Sequence, residues 1–300
     1  MRHLSVPVLI GLLCCSVFTS ADAREVAAPD TVPELSPGYL IGYLPQDALP
    51  DSLLLLPAPP EVNSAAFALD QSMAQQSQAL RGSERWKLAI RDAELHFPAA
   101  AETFSCALNA PINERLTPRL YLLLRRTLTD AGLATDSAKK HYARTRPFVF
   151  NQQPSCTPDE EAKLAKNGSY PSGHSSIGWA WALLLSELSP ANSNAILARG
   201  RAYTESRLVC NVHWYSDIRE GRDLGAATVA RLHSDPIFQA DFAAARQELA
   251  AVRAKGLGAS GDCMAQAEAL VPQPAFVSAQ NSAPAPDPAA PEPKAPGSEP

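Results

Sequence analysis

Residues 174–188 read HSSIGWAWALLLSEL, a stretch that is apolar on nearly every side of a helix. A helix at the surface of a protein would show polar side chains along one face, whereas a helix that is hydrophobic all round is buried. Pro190 follows shortly after this stretch and cannot continue a helix. We therefore predict that residues 174–188 form a central buried helix around which the other elements pack.

The segments on both sides of this stretch are also predicted to be helical. Thr117 and Pro118 have the form of a helix start, and Leu120, Leu124 and Leu128 then fall on one face. Other predicted helices lie at residues 62–80, 84–96, 157–167, 193–209 and 220–233. No hairpin or βαβ pattern is visible. The predicted fold class is all-α, with a single helical-bundle domain around the central buried helix.

Both ends of the chain are predicted to lie outside this domain. Residues 1–23 combine Arg2 and His3 with the apolar run VPVLIGLLCCSVF and the sequence ADA, which is the pattern of a secretory signal peptide. The apolar run is shorter than the roughly 20 residues that cross a bilayer, and no later run is long enough, so no membrane span is predicted. Residues 271–300 are rich in proline and alanine, which predicts a disordered tail. The domain then comprises residues 24–270.

Charge and cysteine content narrow the class of protein. The 26 basic and 31 acidic residues give a formal net charge of −5 without a basic run, so no nucleic-acid-binding module is indicated. The predicted mature chain keeps Cys106, Cys156, Cys210 and Cys263, which in an exported protein indicate two disulfides with three possible connectivities. A cysteine metal site is the alternative, but the sequence has no CxxC spacing. We expect the protein to be periplasmic or secreted.

Three short segments carry the charged and hydroxyl residues that could perform chemistry. The first is KKHYARTRPF at 139–148, where Lys139 and Arg146 are seven residues apart and would share a helix face. Pro147 disfavours helix at Arg146 and would turn the chain there. Taken alone, this segment is better interpreted as a solvated basic face.

The second segment is GSYPSGHSS at 168–176. Ser172 and Gly173 are predicted to form a turn that leads to His174 at the mouth of the central helix. Backbone N–H groups at a helix start bind anions well. An ordinary capping turn with a hydrogen-bonded histidine is an equally good interpretation of so short a motif.

The third segment is ESRLVCNVHWYSD at 205–217. His213 and Asp217 are four residues apart and would share a helix face, so the carboxylate could hold one ring nitrogen and leave the other free to react. Taken alone, a surface His–Asp pair near Arg207 is the favoured interpretation.

Together the three segments form one consistent set of groups. Lys139, Arg146 and Arg207 are cationic donors, and arginine matches the geometry of a tetrahedral oxyanion such as phosphate. Ser172 and Gly173 add a hydroxyl and an amide. The two histidines could then serve as a nucleophile and an acid. The sequence shows no cluster of Asp and Glu suited to Mg²⁺, and no cofactor is predicted.

This order of residues resembles the signature of the type 2 phosphatidic acid phosphatase superfamily, which is K-x6-RP, then PSGH, then SR-x5-H-x3-D. The matching positions are Lys139, Arg146, Pro147, Pro171, Ser172, Gly173, His174, Ser206, Arg207, His213 and Asp217. The flanking segments LLLLPAPPEVNSAAFALDQ and KNGSYPSGHSSIGWA further resemble the bacterial class A non-specific acid phosphatases, over roughly residues 50–245. The resemblance implies the helical fold that these enzymes share with the vanadium haloperoxidases.

The resemblance also implies a role for each residue. His213 would attack phosphorus, Asp217 would orient its ring, and His174 would protonate the leaving oxygen and then activate water. The phosphate oxygens would be bound by Lys139, Arg146, Ser172, Gly173 and Arg207. Phosphate monoesters would be the substrates and inorganic phosphate a product. Vanadate would be an inhibitor, no metal or other cofactor would be needed, and the assembly would be a homo-oligomer.

Three other functions remain open from the sequence. A vanadate-dependent haloperoxidase would share the fold and the motif, although its chains are usually much longer. A membrane lipid phosphatase is disfavoured because no spanning helix is predicted. A non-catalytic phosphate-binding protein belongs to a different class, but it would not need both histidines and Asp217.

For the disulfides we predict the pairs Cys156–Cys210 and Cys106–Cys263. Cys156 closely follows the first motif and Cys210 lies inside the third, so the segments that carry them should meet around one site. The other pair would then tie the ends of the domain together.

Overall fold

The computed structural model of the chain describes residues 31–271. Within this range the chain forms thirteen α-helices and one two-stranded antiparallel sheet. The strands are β1 Glu34–Ser36 and β2 Tyr39–Leu40, and the helices are α1 Ser52–Leu55, α2 Ala65–Ser77, α3 Glu84–Arg91, α4 Ser105–Leu108, α5 Pro118–Leu133, α6 Asp136–Tyr142, α7 Pro147–Asn151, α8 Glu161–Leu164, α9 Gly173–Leu188, α10 Ser193–Val209, α11 Tyr215–Leu232, α12 Pro236–Ala254 and α13 Cys263–Ala269. The all-α prediction is confirmed. The predicted signal peptide lies outside the described residues, as does the predicted tail apart from Val271.

Helix α9 is the central buried helix that the sequence predicts. It packs against α5, α10 and α11, and α12 packs against α5. Trp181 of α9 is almost fully buried, and its indole N–H donates to the Leu124 carbonyl oxygen of α5 at 3.1 Å. Each large apolar side chain buried in this way contributes about 1.5–3 kcal/mol to the free energy of unfolding. The apolar character of α9 on every side therefore determines the arrangement of the bundle.

The N-terminal ends of α9 and α11 lie in unusually close contact. A β-carbon on Gly221 of α11 would fall 2.5 Å from the Ser172 carbonyl oxygen, and one on Gly225 would collide with the Ser176 carbonyl oxygen. Only glycine allows two backbones to approach so closely. The Ser172 N–H also donates to the Asp217 carbonyl oxygen at 2.9 Å. The second and third sequence segments are therefore held side by side by direct backbone contact, which we call the glycine seam (Gly221 and Gly225 against Ser172 and Ser176).

Two disulfides join distant parts of the chain. Cys156 pairs with Cys210 and Cys106 pairs with Cys263, which confirms both predicted pairs. The first disulfide attaches the segment before α8 to the end of α10, where the Cys156 N–H also donates to the Cys210 carbonyl oxygen at 3.1 Å. The second attaches α4 to α13.

The structure differs from the sequence prediction at several element boundaries. The β1–β2 hairpin was not predicted, because its strands are too short to show an alternating pattern and its turn depends on Gly38 at a φ of +84°. Helix α3 ends at Arg91 rather than 96, and the carboxylate of the next residue, Asp92, accepts hydrogen bonds from Arg199 and Ser206. Helix α11 begins earlier than predicted.

Two predicted helices also differ from the structure at their starts. Thr117 does precede α5, but its hydroxyl donates to the Pro111 carbonyl oxygen and accepts from the Asn113 N–H instead of capping the helix. The predicted helix at 157–167 is a 3₁₀ turn at Pro158–Glu160 followed by the short α8. Among the described residues, no helix is both long enough and apolar enough to cross a membrane.

Candidate active site

The three sequence segments converge at the N-terminal ends of α9 and α11. Lys139 lies in α6, Arg146 precedes α7, and Arg207 lies in the last turn of α10. Ser172, Gly173 and His174 form the start of α9, while His213 and Asp217 flank the start of α11. The structure thus brings together all eight residues that the sequence predicts for the site.

His213 stands between an arginine and a carboxylate. Its Nε2 lies 3.1 Å from Arg146 Nη1, and its Nδ1 lies 3.4 Å from Asp217 Oδ2. A guanidinium can only donate, so Nε2 accepts and Nδ1 carries the proton that faces Asp217. The prediction of a shared helix face is wrong, because His213 lies before α11. The pair meets because the Asp217 carboxylate turns back to accept the Trp214 N–H at 2.9 Å.

The surroundings of His213 keep its ring neutral. The residue is 3% exposed, and burial together with the nearby charges of Arg146 and Lys139 holds the pKa of His213 well below its usual value. A neutral imidazole with Nδ1 protonated has its lone pair on Nε2. That lone pair faces the cationic side of the site.

Arg207 is a buried cation whose donors are not all used. The residue is 1% exposed, and its Nε and Nη1 have no hydrogen-bond partner among residues 31–271. Buried guanidinium groups are normally paired, because an unpaired buried charge is costly. An anion bound beside Arg207 would satisfy both donors.

Arg146 and Lys139 supply two more cations from the first segment. Arg146 is fixed by the carbonyl oxygens of Leu164, Asn167 and Val212 at 2.9 to 3.1 Å. Burial and the nearby Arg207 lower the pKa of Arg146 to about 10, so its guanidinium stays charged at neutral pH.

Lys139 reaches the same region from a different element. Its Nζ donates to the Gly168 carbonyl oxygen at 3.1 Å. Burial and the charge of Arg146 lower the pKa of Lys139 to about 7. The prediction that Lys139 and Arg146 share one helix face is wrong, because α6 ends at Tyr142 and Ala143 reverses the chain with a φ of +41°. They converge because the chain turns between them.

The start of α9 presents further donors. The Ser172 hydroxyl accepts from the N–H and the hydroxyl of Ser175, which leaves its own proton to donate elsewhere. Gly173 and His174 are the first two residues of α9, so their backbone N–H groups have no acceptor within the helix. Unused N–H groups at a helix start favour an anion. The structure therefore combines the capping turn of one interpretation with the anion-binding geometry of the other.

His174 uses one ring nitrogen for a backbone contact. Its Nε2 lies 2.9 Å from the Ala93 carbonyl oxygen, which can only accept, so Nε2 carries a proton. Nδ1 is therefore the nitrogen that remains for proton transfer. Burial and the charge of Arg207 hold the pKa of His174 well below its usual value. The ring is neutral while no anion is bound.

Two polar residues next to the site were not predicted. Arg144 lies within the first segment and forms ion pairs with Asp217 at 2.5 Å and with Asp70 at 2.7 Å. Arg144 was visible in the sequence as a third cation of KKHYARTRPF, but no motif position marks it. Asp70 comes 74 residues earlier in the chain, in α2, where nothing in its neighbours indicates a polar role.

A cavity of about 440 Å³ opens above the start of α9. Lys139, Gly173 and His174 are among the residues that line it. Its apolar wall includes Leu35 and Tyr39 of the hairpin and Ile177 of α9, among other side chains. In the described part of the chain, no group of three or more His, Cys, Asp or Glu side chains is arranged to hold a metal ion.

Comparison with known proteins identifies the family. The sequence profile of the PAP2 superfamily matches residues 120–237. A non-specific acid phosphatase of Providencia stuartii is 42% identical over 246 residues, which are 82% of this chain and 98% of that protein. A non-specific acid phosphatase of Salmonella typhimurium is 41% identical over 208 residues, which are 69% of this chain and 83% of that protein.

Two further proteins are less similar to this chain, one in sequence and one in structure. An acid phosphatase of Zymomonas mobilis is 39% identical over 203 residues, covering 68% of this chain and 77% of that protein. Among solved structures, a bacterial vanadium-dependent iodoperoxidase superposes with a TM-score of 0.42 at 18% sequence identity, covering 67% of this chain and 62% of that chain. That structural similarity is too low to support a conclusion about this chain.

The chain belongs to the PAP2 superfamily and, within it, to the group of these acid phosphatases. It is therefore an acid phosphatase, which confirms the class of enzyme that the sequence predicts.

Proposed function

We propose that the protein hydrolyses phosphate monoesters through a covalent phosphohistidine on His213. The observation that carries this proposal is the state of Arg207, whose Nε and Nη1 are buried and unpartnered among the described residues beside a neutral histidine. A tetrahedral oxyanion is the ligand that these two donors fit. With Arg146 and Lys139 it would be bound by three side-chain cations, with His213 below it and the start of α9 beside it.

The first chemical step forms a bond between His213 and phosphorus. The phosphate oxygens take over Arg146 as a donor, which frees the Nε2 lone pair for attack. The P–N bond forms as the P–O bond to the leaving group breaks, and the leaving oxygen takes a proton from Nδ1 of His174. The ring of His213 then carries positive charge, which the Asp217 carboxylate stabilises through Nδ1–H.

The second step returns the enzyme to its starting state. The neutral Nδ1 of His174 removes a proton from water while the water oxygen attacks phosphorus and the P–N bond breaks. Inorganic phosphate leaves, and His174 is protonated again for the next substrate. In both steps the charge on the phosphoryl oxygens is stabilised by the same donors, which are Lys139, Arg146, Arg207, the Ser172 hydroxyl and the Gly173 N–H.

The pKa of His174 depends on whether the site is occupied. In the empty site, burial and Arg207 hold this pKa well below its usual value, so the ring lacks the proton that an acid must donate. A bound dianion places negative charge beside the ring and favours its protonated form. Substrate binding should therefore convert His174 into an acid, and a mildly acidic medium should assist this conversion.

We predict that binding of sulfate takes up a proton from the buffer. The experiment is best done at about pH 5.5, where sulfate is a dianion. At this pH Lys139, whose pKa is lowered to about 7, is already protonated, so it does not take up the proton. Calorimetric titrations in buffers of different ionisation enthalpy should show uptake of up to about one proton per bound sulfate. His174→Asn should bind sulfate with much less uptake. Wild-type binding without uptake would contradict the acid role of His174.

We predict that hydrolysis does not require a divalent metal, because the charge of the phosphoryl oxygens is balanced by side-chain cations. Turnover of 4-nitrophenyl phosphate should be unchanged after dialysis against EDTA, and vanadate should inhibit competitively by occupying the same site. Loss of activity that Mg²⁺ or Zn²⁺ restores would contradict this mechanism. Oxidation of bromide in the presence of vanadate and peroxide would instead support a haloperoxidase.

We also propose where the protein acts and in what assembly. The two disulfides support an oxidising compartment, which is the periplasm or the extracellular medium. The family resemblance supports a homo-oligomer, and size-exclusion chromatography with light scattering tests this directly.

A further inference from the structure

We infer that Arg144 and Asp70 form a positioning pair for Asp217. The pair orients the Asp217 carboxylate and stabilises its negative charge behind the nucleophile, His213. This inference rests on the proposed function, since it assumes that His213 is the nucleophile. Neither residue occupies a position of the family signature. Their place in the structure, directly behind Asp217, is what connects them to the reaction.

Arg144 spans two buried carboxylates with its two terminal nitrogens. Nη1 donates to Asp217 Oδ1 at 2.5 Å, and Nη2 donates to Asp70 Oδ2 at 2.7 Å. The side chains of Asp217 and Asp70 are at most 1% exposed, and that of Arg144 is 8% exposed. Ion pairs in such surroundings are screened little by solvent. Arg144 therefore contributes strongly to the charge and orientation of Asp217.

The two oxygens of Asp217 have separate partners. Oδ1 is held by Arg144, whereas Oδ2 accepts the Trp214 N–H at 2.9 Å and faces His213 Nδ1 at 3.4 Å. The contact with His213 is the longest of these three, so it depends on the other two to keep the carboxylate in place. Without Arg144 the carboxylate would lose one of the two contacts that fix Oδ2 opposite His213 Nδ1.

Asp70 holds Arg144 from the other side. Its Oδ1 accepts the Ser216 N–H at 2.8 Å, and its Oδ2 accepts the Ser216 hydroxyl at 2.6 Å in addition to Arg144. Arg144 Nη1 also donates to the Ser216 hydroxyl at 2.8 Å. With both terminal nitrogens bound in this way, Arg144 is a positioning residue and not a further phosphate ligand. A chain of contacts therefore runs from Asp70 of α2 through Arg144 and Asp217 to His213.

A double-mutant cycle tests whether Arg144 acts through Asp217. We expect Arg144→Gln to lower kcat about 10–100-fold, as loss of a supporting partner of a catalytic group commonly does, with a much smaller change in KM because the phosphate donors remain. The same substitution made in Asp217→Asn should cost little further activity, since the carboxylate that Arg144 serves is already gone. Losses that multiply in the double variant would overturn the inference.

A conservative variant separates positioning from a merely structural role. Arg144→Lys keeps the charge but cannot span both carboxylates, so it should restore only part of the kcat that Arg144→Gln loses, with little change in KM. In both variants, a kcat reduced only in proportion to the folded fraction would overturn the inference.

Arg126→Gln is the matched control. Arg126 is also a buried arginine, but it contacts the Gly42 carbonyl oxygen and Asp241, which lie outside the site segments. It should lose stability without a change in the kcat or KM of the folded protein. If Arg144→Gln fails to fold, Asp70→Asn carries the same test with a smaller change in shape. Wild-type protein without phosphatase activity would contradict the proposed function itself. Losses that multiply in the double-mutant cycle would contradict only the inference about Arg144.

Discussion

Replacing His213 with alanine should abolish turnover of every phosphate ester, whatever its leaving group. The substitution removes the atom to which phosphorus is bonded, and loss of a covalent nucleophile in hydrolases costs on the order of 10⁶-fold in kcat. The cationic side chains of Lys139, Arg146 and Arg207 would remain, so phosphate and vanadate should still bind. Activity should therefore disappear while ligand binding persists.

The direct measurement is the phosphoenzyme. Wild-type protein quenched during turnover of a ³²P-labelled ester should carry label in an acid-labile, alkali-stable bond, which is the behaviour of a phosphohistidine. His213→Ala should carry none. His233→Ala is the matched control, because His233 lies at the opposite end of α11 and pairs with Glu187. Label retained by His213→Ala would place the nucleophile on another residue.

Replacing His174 with alanine should have an effect that depends on the leaving group. An alkyl alkoxide needs a proton as it departs, whereas 4-nitrophenolate leaves readily without one. General acid catalysis contributes about 10²–10⁴-fold, so the variant should lose a factor of this size on an alkyl phosphate and distinctly less on 4-nitrophenyl phosphate. The Ala93 carbonyl oxygen assigns this proton to Nδ1, since it already holds Nε2–H.

The two substrates must be compared in the first turnover. His174 also activates water in the second step, so the alanine variant should accumulate phosphoenzyme on the aryl substrate, and steady turnover would then report a different step. Rapid-quench measurement of the initial burst isolates P–N bond formation. Equal losses on the alkyl and the aryl substrate in that burst would exclude His174 as the acid.

The residues of the site were easier to predict from sequence than the reasons for their position. Lys139, Arg146 and His213 stand out because they are charged or titratable groups at fixed spacing beside apolar residues. Their geometry did not follow from that spacing, since Ala143 reverses the chain after α6 and Asp217 folds back at the start of α11. Both features depend on backbone conformation and tertiary contact, which helical periodicity does not describe.

The fold shows the same division between strong and weak sequence signals. The apolar stretch at 174–188 predicts α9 correctly, because burial on every side leaves a compositional pattern in the sequence itself. Asp70 leaves no such pattern, since its partners Ser216 of α11 and Arg144, which lies between α6 and α7, are distant in the chain and are brought to it only by tertiary packing. Short-range patterns therefore located the elements and the motifs, while the contacts that connect them required the structure.

The glycine seam has a consequence for anyone who wishes to redesign the substrate range of this enzyme. Because Gly221 and Gly225 touch the backbone of α9 directly, a larger residue there would push the support of His174 away from that of Asp217. The seam is therefore a poor place to gain room for a bulkier leaving group. Leu35 and Tyr39 of the hairpin also line the cavity, and neither is one of the proposed phosphate-binding residues. Libraries directed at these two positions could enlarge the cavity while the spacing of the catalytic groups is retained.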